Sequence, residues 1–233
     1  MKQEFNKQPI KNVDNPLLSG KRILVMTAVA AERDAFLRGT RGSDKFDVRI
    51  AGVGAPIAAA NTATALALED YSLVISAGIG GGFVGVAELG SIIVASEIVA
   101  ADLGAETAEG FCSVDELGFG TSRVQVDTNL VTRITDALHH AGLLVHTGPI
   151  LTVSTVTGTS ESADDLEKRV PGATAEAMEG YGVAVAAQIH NIPILEIRTI
   201  SNAVGPRDRA AWRMKEAFEA LETASSILLE VFT

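Results

Sequence analysis

A single α/β domain, with a central mixed and twisted sheet flanked by helices, is what this chain predicts, on three observations. Short apolar runs such as Arg22-Ile23-Leu24-Val25-Met26-Thr27-Ala28 and Leu73-Val74-Ile75-Ser76-Ala77 have the length and texture of buried strands. They alternate with small-residue or amphipathic stretches of helical length, the pattern of one layered α/β unit. Several of the runs end in glycine, glutamate or asparagine, where an α/β sheet opens its ligand crevice. With 233 residues, 47% of them hydrophobic, the chain can bury one substantial core.

Residues 1–20 hold charges, asparagines and two prolines without a sustained period, and are expected to be a flexible N-terminal extension to a catalytic domain over residues 21–233. After the first strand, Ala31 to Leu37 predicts a helix, and Phe46 to Ala51 a second strand running into Gly52-Val53-Gly54. Pro56 suits a first helical position, and the alanine-rich stretch to Leu68 forms helix readily and permits close approach to a sheet. Leu73 to Ala77 is the third strand, followed by an expected glycine turn over Gly78 to Gly82. Leu89 to Val99 reads as a long strand. Asp102 to Gln125, acidic and glycine-rich, predicts a long irregular excursion of the kind that covers a site or packs on a partner. Leu130, Ile134, Ala137 and Leu138 give Asn129 to His140 one apolar face. Leu143 to Val156 supplies strand, and Ser160 or Ser162 caps an acidic helix. Tyr181 to His190 is a helix expected to bury Val183, Ala184, Ala187 and Ile189. Ile192 to Ile200 returns to the sheet, and Ala210 to Phe232 closes the chain as a helix whose apolar positions include Trp212.

Composition narrows the function. The net charge of -10 repels phosphate backbones, and 5% aromatic residues leave little for stacking on single strands, so nucleic acid is not an expected partner. Cys112 is the single cysteine, and His139, His140, His146 and His190 lack ligand spacing, so no metal site is expected. No apolar run has membrane-spanning length, and no signal-like segment precedes residue 22; a cytoplasmic protein is the expectation.

Three fragments carry the chemistry. Ser76-Ala77-Gly78-Ile79-Gly80-Gly81-Gly82 lacks both the dinucleotide spacing and the Lys-Ser/Thr ending of a P-loop. Its glycines serve either a sharp turn or a backbone laid against a flat ligand. Glu179, after Met178, stands at a helix start, where an acid complements the dipole or accepts hydrogen bonds from two ribose hydroxyls. Met178 either packs in the core or presses its thioether on the sugar. Asn202 ends the late strand fragment Arg198-Thr199-Ile200-Ser201-Asn202, where an amide caps a turn or reads a carbonyl beside a ring nitrogen. To these Glu32 is added: beyond the first strand it is either solvated surface or a partly buried proton carrier whose pKa desolvation raises.

The chain resembles the nucleoside phosphorylase and nucleosidase superfamily, and within it the futalosine hydrolases of the alternative menaquinone pathway. The resemblance rests on Val25-Met26-Thr27-Ala28-Val29 with Glu32, on Ser76 to Phe83, on Glu176-Ala177-Met178-Glu179-Gly180, and on Ile200-Ser201-Asn202-Ala203-Val204-Gly205-Pro206-Arg207-Asp208. It implies a nucleoside phosphorylase-like fold that hydrolyses the N-glycosidic bond of futalosine to hypoxanthine and its dehypoxanthinyl product. No metal or redox cofactor is implied. Glu32 would activate water, Glu179 with Met178 would hold the ribose, Gly80, Gly81 and Gly82 would shape the cradle, and Asn202 would hold the purine. Relatives acting on adenine nucleosides carry an aspartate at the position of Asn202, so the asparagine agrees with a 6-oxopurine. Phosphorolytic relatives place an arginine near the glycine segment, whereas Ala77 to Phe83 has none, which makes water the expected nucleophile. The base-stacking aromatic of adenine-cleaving relatives has no counterpart in Val153 to Thr159. Arg207 is a candidate for the substrate's aromatic acid end, or else a surface ion-pair residue. The resemblance also implies a homo-oligomer. The alternative readings are a 5′-methylthioadenosine/S-adenosylhomocysteine nucleosidase and a non-catalytic purine-nucleoside-binding domain.

Overall fold

The computed structural model describes residues 21–233; the N-terminal extension expected over residues 1–20 lies outside the described residues. The chain runs β1 (Arg22–Thr27), α1 (Ala30–Gly39), β2 (Phe46–Ile50), α2 (Ala55–Leu68), β3 (Tyr71–Gly82) and β4 (Ile92–Ala100). A hairpin of β5 (Gly104–Thr107) and β6 (Gly110–Ser113) follows, then β7 (Arg123–Gln125), α3 (Thr128–His140), β8 (Val145–Thr152) and α4 (Ser160–Arg169). The remainder is β9 (Ala175–Ala177), α5 (Gly180–Ile189), β10 (Ile194–Ala203), a 3₁₀ turn (Arg209–Ala211) and α6 (Met214–Phe232).

The mixed sheet has the order β10-β4-β8-β9-β3-β1-β2, with β7 on β4 and β10 also paired to β3. Those pairings close a ring through β3, β9, β8, β4 and β10, so few strand edges are left open on that side. The β1–β3, β10–β3 and β4–β8 ladders are parallel, while β10–β4 and β3–β9 are antiparallel. Ile23, Leu24, Val25, Leu73, Val74, Ile75, Leu195 and Ile197 are buried at the centre, each stabilising the fold by about 1.5–3 kcal/mol relative to exposure. A second cluster around Phe83, Leu151, Leu166 and Val204 fills the space beneath α4.

Five local expectations are corrected. Gly78 to Gly82 do not turn; they continue β3, whose partner β10 pairs with them from Gly78 through Gly82. Glycine is used there for close approach: a Cβ on Gly80 would lie 2.8 Å from Glu176 O, and one on Gly82 would lie 2.6 Å from Ala87 O. The excursion after β4 holds regular structure, since β5 and β6 pair over Gly104 to Ser113. Thr159, not Ser160 or Ser162, caps α4 by accepting from the Ser162 N–H at 3.1 Å. Ile189, at the last turn of α5, is 72% exposed rather than buried. Trp212 precedes α6, because the chain makes a 3₁₀ turn and an extended step before helix resumes at Met214.

Candidate active site

The three fragments meet because β9, β3 and β10 are neighbours, and β1 delivers Glu32 through the first turn of α1. A cleft of about 260 Å³ is lined by Glu32, Gly80, Gly81, Glu176, Met178, Glu179, Asn202, Arg207, Trp212 and Met214, among others. Of the predicted site residues only Gly82 does not line it. It packs behind the wall instead, where its missing side chain makes room for Ile200 and Ala87. A larger cavity of about 520 Å³ lies between the β5–β6 hairpin and the end of α4, but it contains none of these residues.

Glu32 is buried and occupied. Its Oε2 accepts from the N–H groups of Ala28 and Val29 at 2.8 and 3.2 Å, and its Oε1 from Ile79 N at 2.9 Å. As the third residue of α1 it turns back on the orphan N–H groups that precede the helix, the usual fate of a glutamate there. Burial raises its pKa above the ordinary glutamate value, and the Arg198 guanidinium and Ile79 N–H offset only part of that. A carboxylate so placed takes a proton from water more readily than an exposed one.

Glu179 precedes α5. Its Oε1 accepts from Gly54 N at 3.2 Å and its Oε2 lies 3.3 Å from Arg198 Nη1. The acid that stands alone in its own segment is therefore paired across the sheet. Arg198, 1% exposed, also places Nε 2.9 Å from Glu196 Oε1 and Nη2 3.0 Å from Ser76 Oγ. Burial opposes its charge, but the surrounding Glu196, Glu179 and Glu32 carboxylates outweigh that and hold it protonated. Gly78 makes this convergence fit, since a Cβ there would clash with Glu32 Oε1 and lie 2.8 Å from Arg198 Nη1. The glycine segment lacks a cation of its own, yet Arg198 reaches it from β10, engaged by the Glu179 and Glu196 carboxylates and by the Ser76 hydroxyl.

Asn202 is re-aimed by a bulge at Ser201, where β10 slips one residue against β3. The Ser201 hydroxyl donates to Asn202 Oδ1 at 2.9 Å, and Asn202 Nδ2 donates to Ala203 O at 3.0 Å. Those bonds fix the amide's orientation and leave a donor and an acceptor position free. Arg207 sits at the rim with its guanidinium carbon 5.5 Å from the Trp212 ring centroid.

Sequence reasoning missed Glu196, Glu176 and Trp212 as parts of the site, and included Arg198 in the late-strand fragment without giving it a role. A signal existed for two of these: Glu196 and Arg198 alternate inside an otherwise apolar strand, which puts both charges on one face. A buried strand tolerates that only when the charges are paired. Trp212 supplies an aromatic from the segment before α6 where the loop after β8 has none.

The class that this fold and cleft define is also found by comparison: the profile of the Phosphorylase superfamily matches residues 28–233. The chain is 50% identical to a futalosine hydrolase of Streptomyces coelicolor, with 90% of this chain and 95% of that one covered. It is 34% identical to the futalosine hydrolase of Thermus thermophilus, over 84% and 86% of the two chains. Among solved structures, futalosine hydrolase of Helicobacter pylori superposes with a TM-score of 0.75 at 16% identity, over 91% of this chain and 97% of that one. At that identity the superposition speaks for the fold. The chain belongs to the futalosine hydrolase family of the phosphorylase superfamily.

Proposed function

We propose that this protein hydrolyses the N-glycosidic bond of futalosine, releasing hypoxanthine and the dehypoxanthinyl sugar product used in menaquinone biosynthesis. The observation that carries the reading is the meeting of Glu32, Glu179 and Asn202 in one cleft. Water held by Glu32 attacks C1′ and passes its proton to the Glu32 carboxylate as the bond to the purine nitrogen breaks; the purine leaves with the bonding electrons and takes up a proton from solvent, and Glu32 returns its proton to solvent. Glu179, held by Gly54 N–H and Arg198, accepts hydrogen bonds from the ribose hydroxyls and stabilises positive charge developing on the sugar. Met178 lines the sugar side, Gly80 and Gly81 form the floor, and Asn202 holds the purine edge. Arg207, which stands over Trp212 at the cleft, takes the carboxylate of the substrate's aromatic end, in keeping with arginine's bidentate pairing.

Water rather than phosphate is the nucleophile in this proposal, because the cation nearest the glycine segment is buried and already paired with carboxylates. Base release from futalosine, inosine and methylthioadenosine, each with and without excess phosphate, tests it. Futalosine should be the preferred substrate and the free sugar the product in both conditions. A sugar 1-phosphate would overturn the hydrolytic reading, and preference for methylthioadenosine would move the chain to the adenine-nucleoside branch.

Two further assignments belong to the proposal. The protein works as at least a dimer, since Phe119 in the excursion after β6 and Val84 after β3 leave large apolar side chains on the surface. Its compartment is the cytoplasm, in keeping with a lone free Cys112. Among the described residues no helix is long and apolar enough to cross a membrane.

A further inference from the structure

Glu176 is a buried acid in the cleft for which the reaction above has no use. It lies on β9 opposite Gly81 of β3, and Gly81 is in turn opposite Asn202 of β10. Residues directly opposite on neighbouring strands share a face of the sheet. Asn202, Gly81 and Glu176 therefore form a row in which the middle position has no side chain. Two strand spacings, roughly 9.5 Å, separate the backbones of the outer pair. A Cβ on Gly81 would lie 3.2 Å from Asn202 Nδ2 and 3.4 Å from Glu176 Cγ, so both side chains lean over the glycine. The result is a slot with an amide on one side, a carboxylate on the other and bare backbone as its floor.

The carboxylate is fixed from behind. Thr157, in the loop after β8, directs its N–H at Glu176 Oε1 (3.0 Å) and its hydroxyl at Oε2 (2.5 Å). A backbone N–H can only donate, so Oε1 is held as an acceptor, with a further lone pair available. We propose that Glu176, held by Thr157, determines specificity for the 6-oxopurine by accepting a hydrogen bond from its N1–H, while Asn202 across the slot donates to the neighbouring oxygen or N7. The inference rests on the proposed nucleoside hydrolysis in this cleft and deepens it. Hypoxanthine carries a proton on N1 that a carboxylate can take up as a hydrogen bond. Adenine presents a lone pair at N1, which faces the carboxylate oxygen without a proton between them. Rejection of adenine thus comes from an unpaired acceptor forced against an acceptor, and a site built to bond one group discriminates strongly against its absence. Asn202 by itself cannot do this, because its amide keeps both a donor and an acceptor position free and so can serve either base.

The test uses free bases, so that it does not depend on turnover. Hypoxanthine and adenine binding are measured by calorimetry on the unaltered protein and on Glu176→Gln. The unaltered protein should prefer hypoxanthine, and the preference should fall by at least about tenfold in the variant, whose amide can donate to adenine N1. Equal weakening of both bases, or an unchanged ratio, would show a merely structural residue and overturn the proposal. A second measurement needs no variant: the N1–H resonance of ¹⁵N-labelled hypoxanthine bound to the unaltered protein. It should move downfield of the free base and exchange slowly with water; a resonance at the free-base position would equally overturn the assignment. The two readings fail separately. Protein that binds hypoxanthine in this manner yet releases no base from futalosine would refute the reaction and leave the base reading intact. Turnover of futalosine with an unchanged base ratio in Glu176→Gln would do the reverse.

Discussion

At the scale of single residues, the site is organised by Arg198, a cation that reaches it from β10 and is enclosed by Glu32, Glu179 and Glu196. Removing one member of a buried ion pair leaves a charge uncompensated and costs about 3–5 kcal/mol. Arg198→Met is therefore expected to lower stability by that amount, read as a fall in the denaturant midpoint at constant m-value, and to abolish turnover. Glu32 allows a finer test. Glu32→Gln should keep substrate affinity and lose about 10²–10⁴-fold in kcat, because an amide takes no proton from water. Direct binding set beside kinetics separates the two effects. The pH profile follows from the same residue. Glu32 must be ionised to act as a base, and burial raises its pKa above 4.5. Activity is thus present at high pH and lost as pH falls through that raised value. The acid limb of kcat/KM should lie above 4.5 and vanish in Glu32→Gln; a limb at or below that value would mean another group titrates.

Among the elements, β3 carries the design. Its first half is an apolar strand and its second half a run of glycines in the same ladder with β10. Each glycine makes space for something different: Gly78 for the Glu32–Arg198 meeting, Gly81 for the slot, and Gly82 for the packing of Ile200. Gly78→Ala should lower kcat/KM by about a hundredfold or more, since displacements near 1 Å at a reacting centre cost that much. Restoration of the loss by added phosphate would contradict the buried, fully paired role given to Arg198. The α2–α5 contact shows the same economy. Gly182 of α5 sits against the Ala55 carbonyl with no room for a side chain, which brings the Gly54 N–H within reach of Glu179.

For the whole molecule, large apolar side chains stand exposed in the excursion after β6 and at the end of α2. Phe119 is 83% exposed and Leu68 71% exposed. Sedimentation at working concentration should give at least a dimer, and Phe119→Ser should shift the equilibrium toward monomer while leaving the far-UV spectrum unchanged. A fully active monomer would show that these side chains are simply exposed.

The sequence by itself determined the α/β class, the order of most elements and most of the candidate residues that come to line the cleft. Apolar runs of strand length and small-residue helices are local patterns, and an acid or amide at the end of such a run shows without knowledge of its neighbours. Glu32, Glu179 and Asn202 were legible in that way, Met178 as the neighbour of Glu179, and Arg207 only through the family resemblance; all five line the cleft. What glycine was for was not legible, because a glycine that turns and a glycine that yields space read alike until the neighbouring strands are known. Nor was the partner of Glu179: Arg198 comes from another strand and is brought to it because β9 and β10 both pair with β3. The register of β9 and β10 against β3 decided that Glu176 and Asn202 face each other over Gly81. A shift of one residue would have turned their side chains to the opposite face, and register is a property of strands meeting in space, which no local pattern encodes.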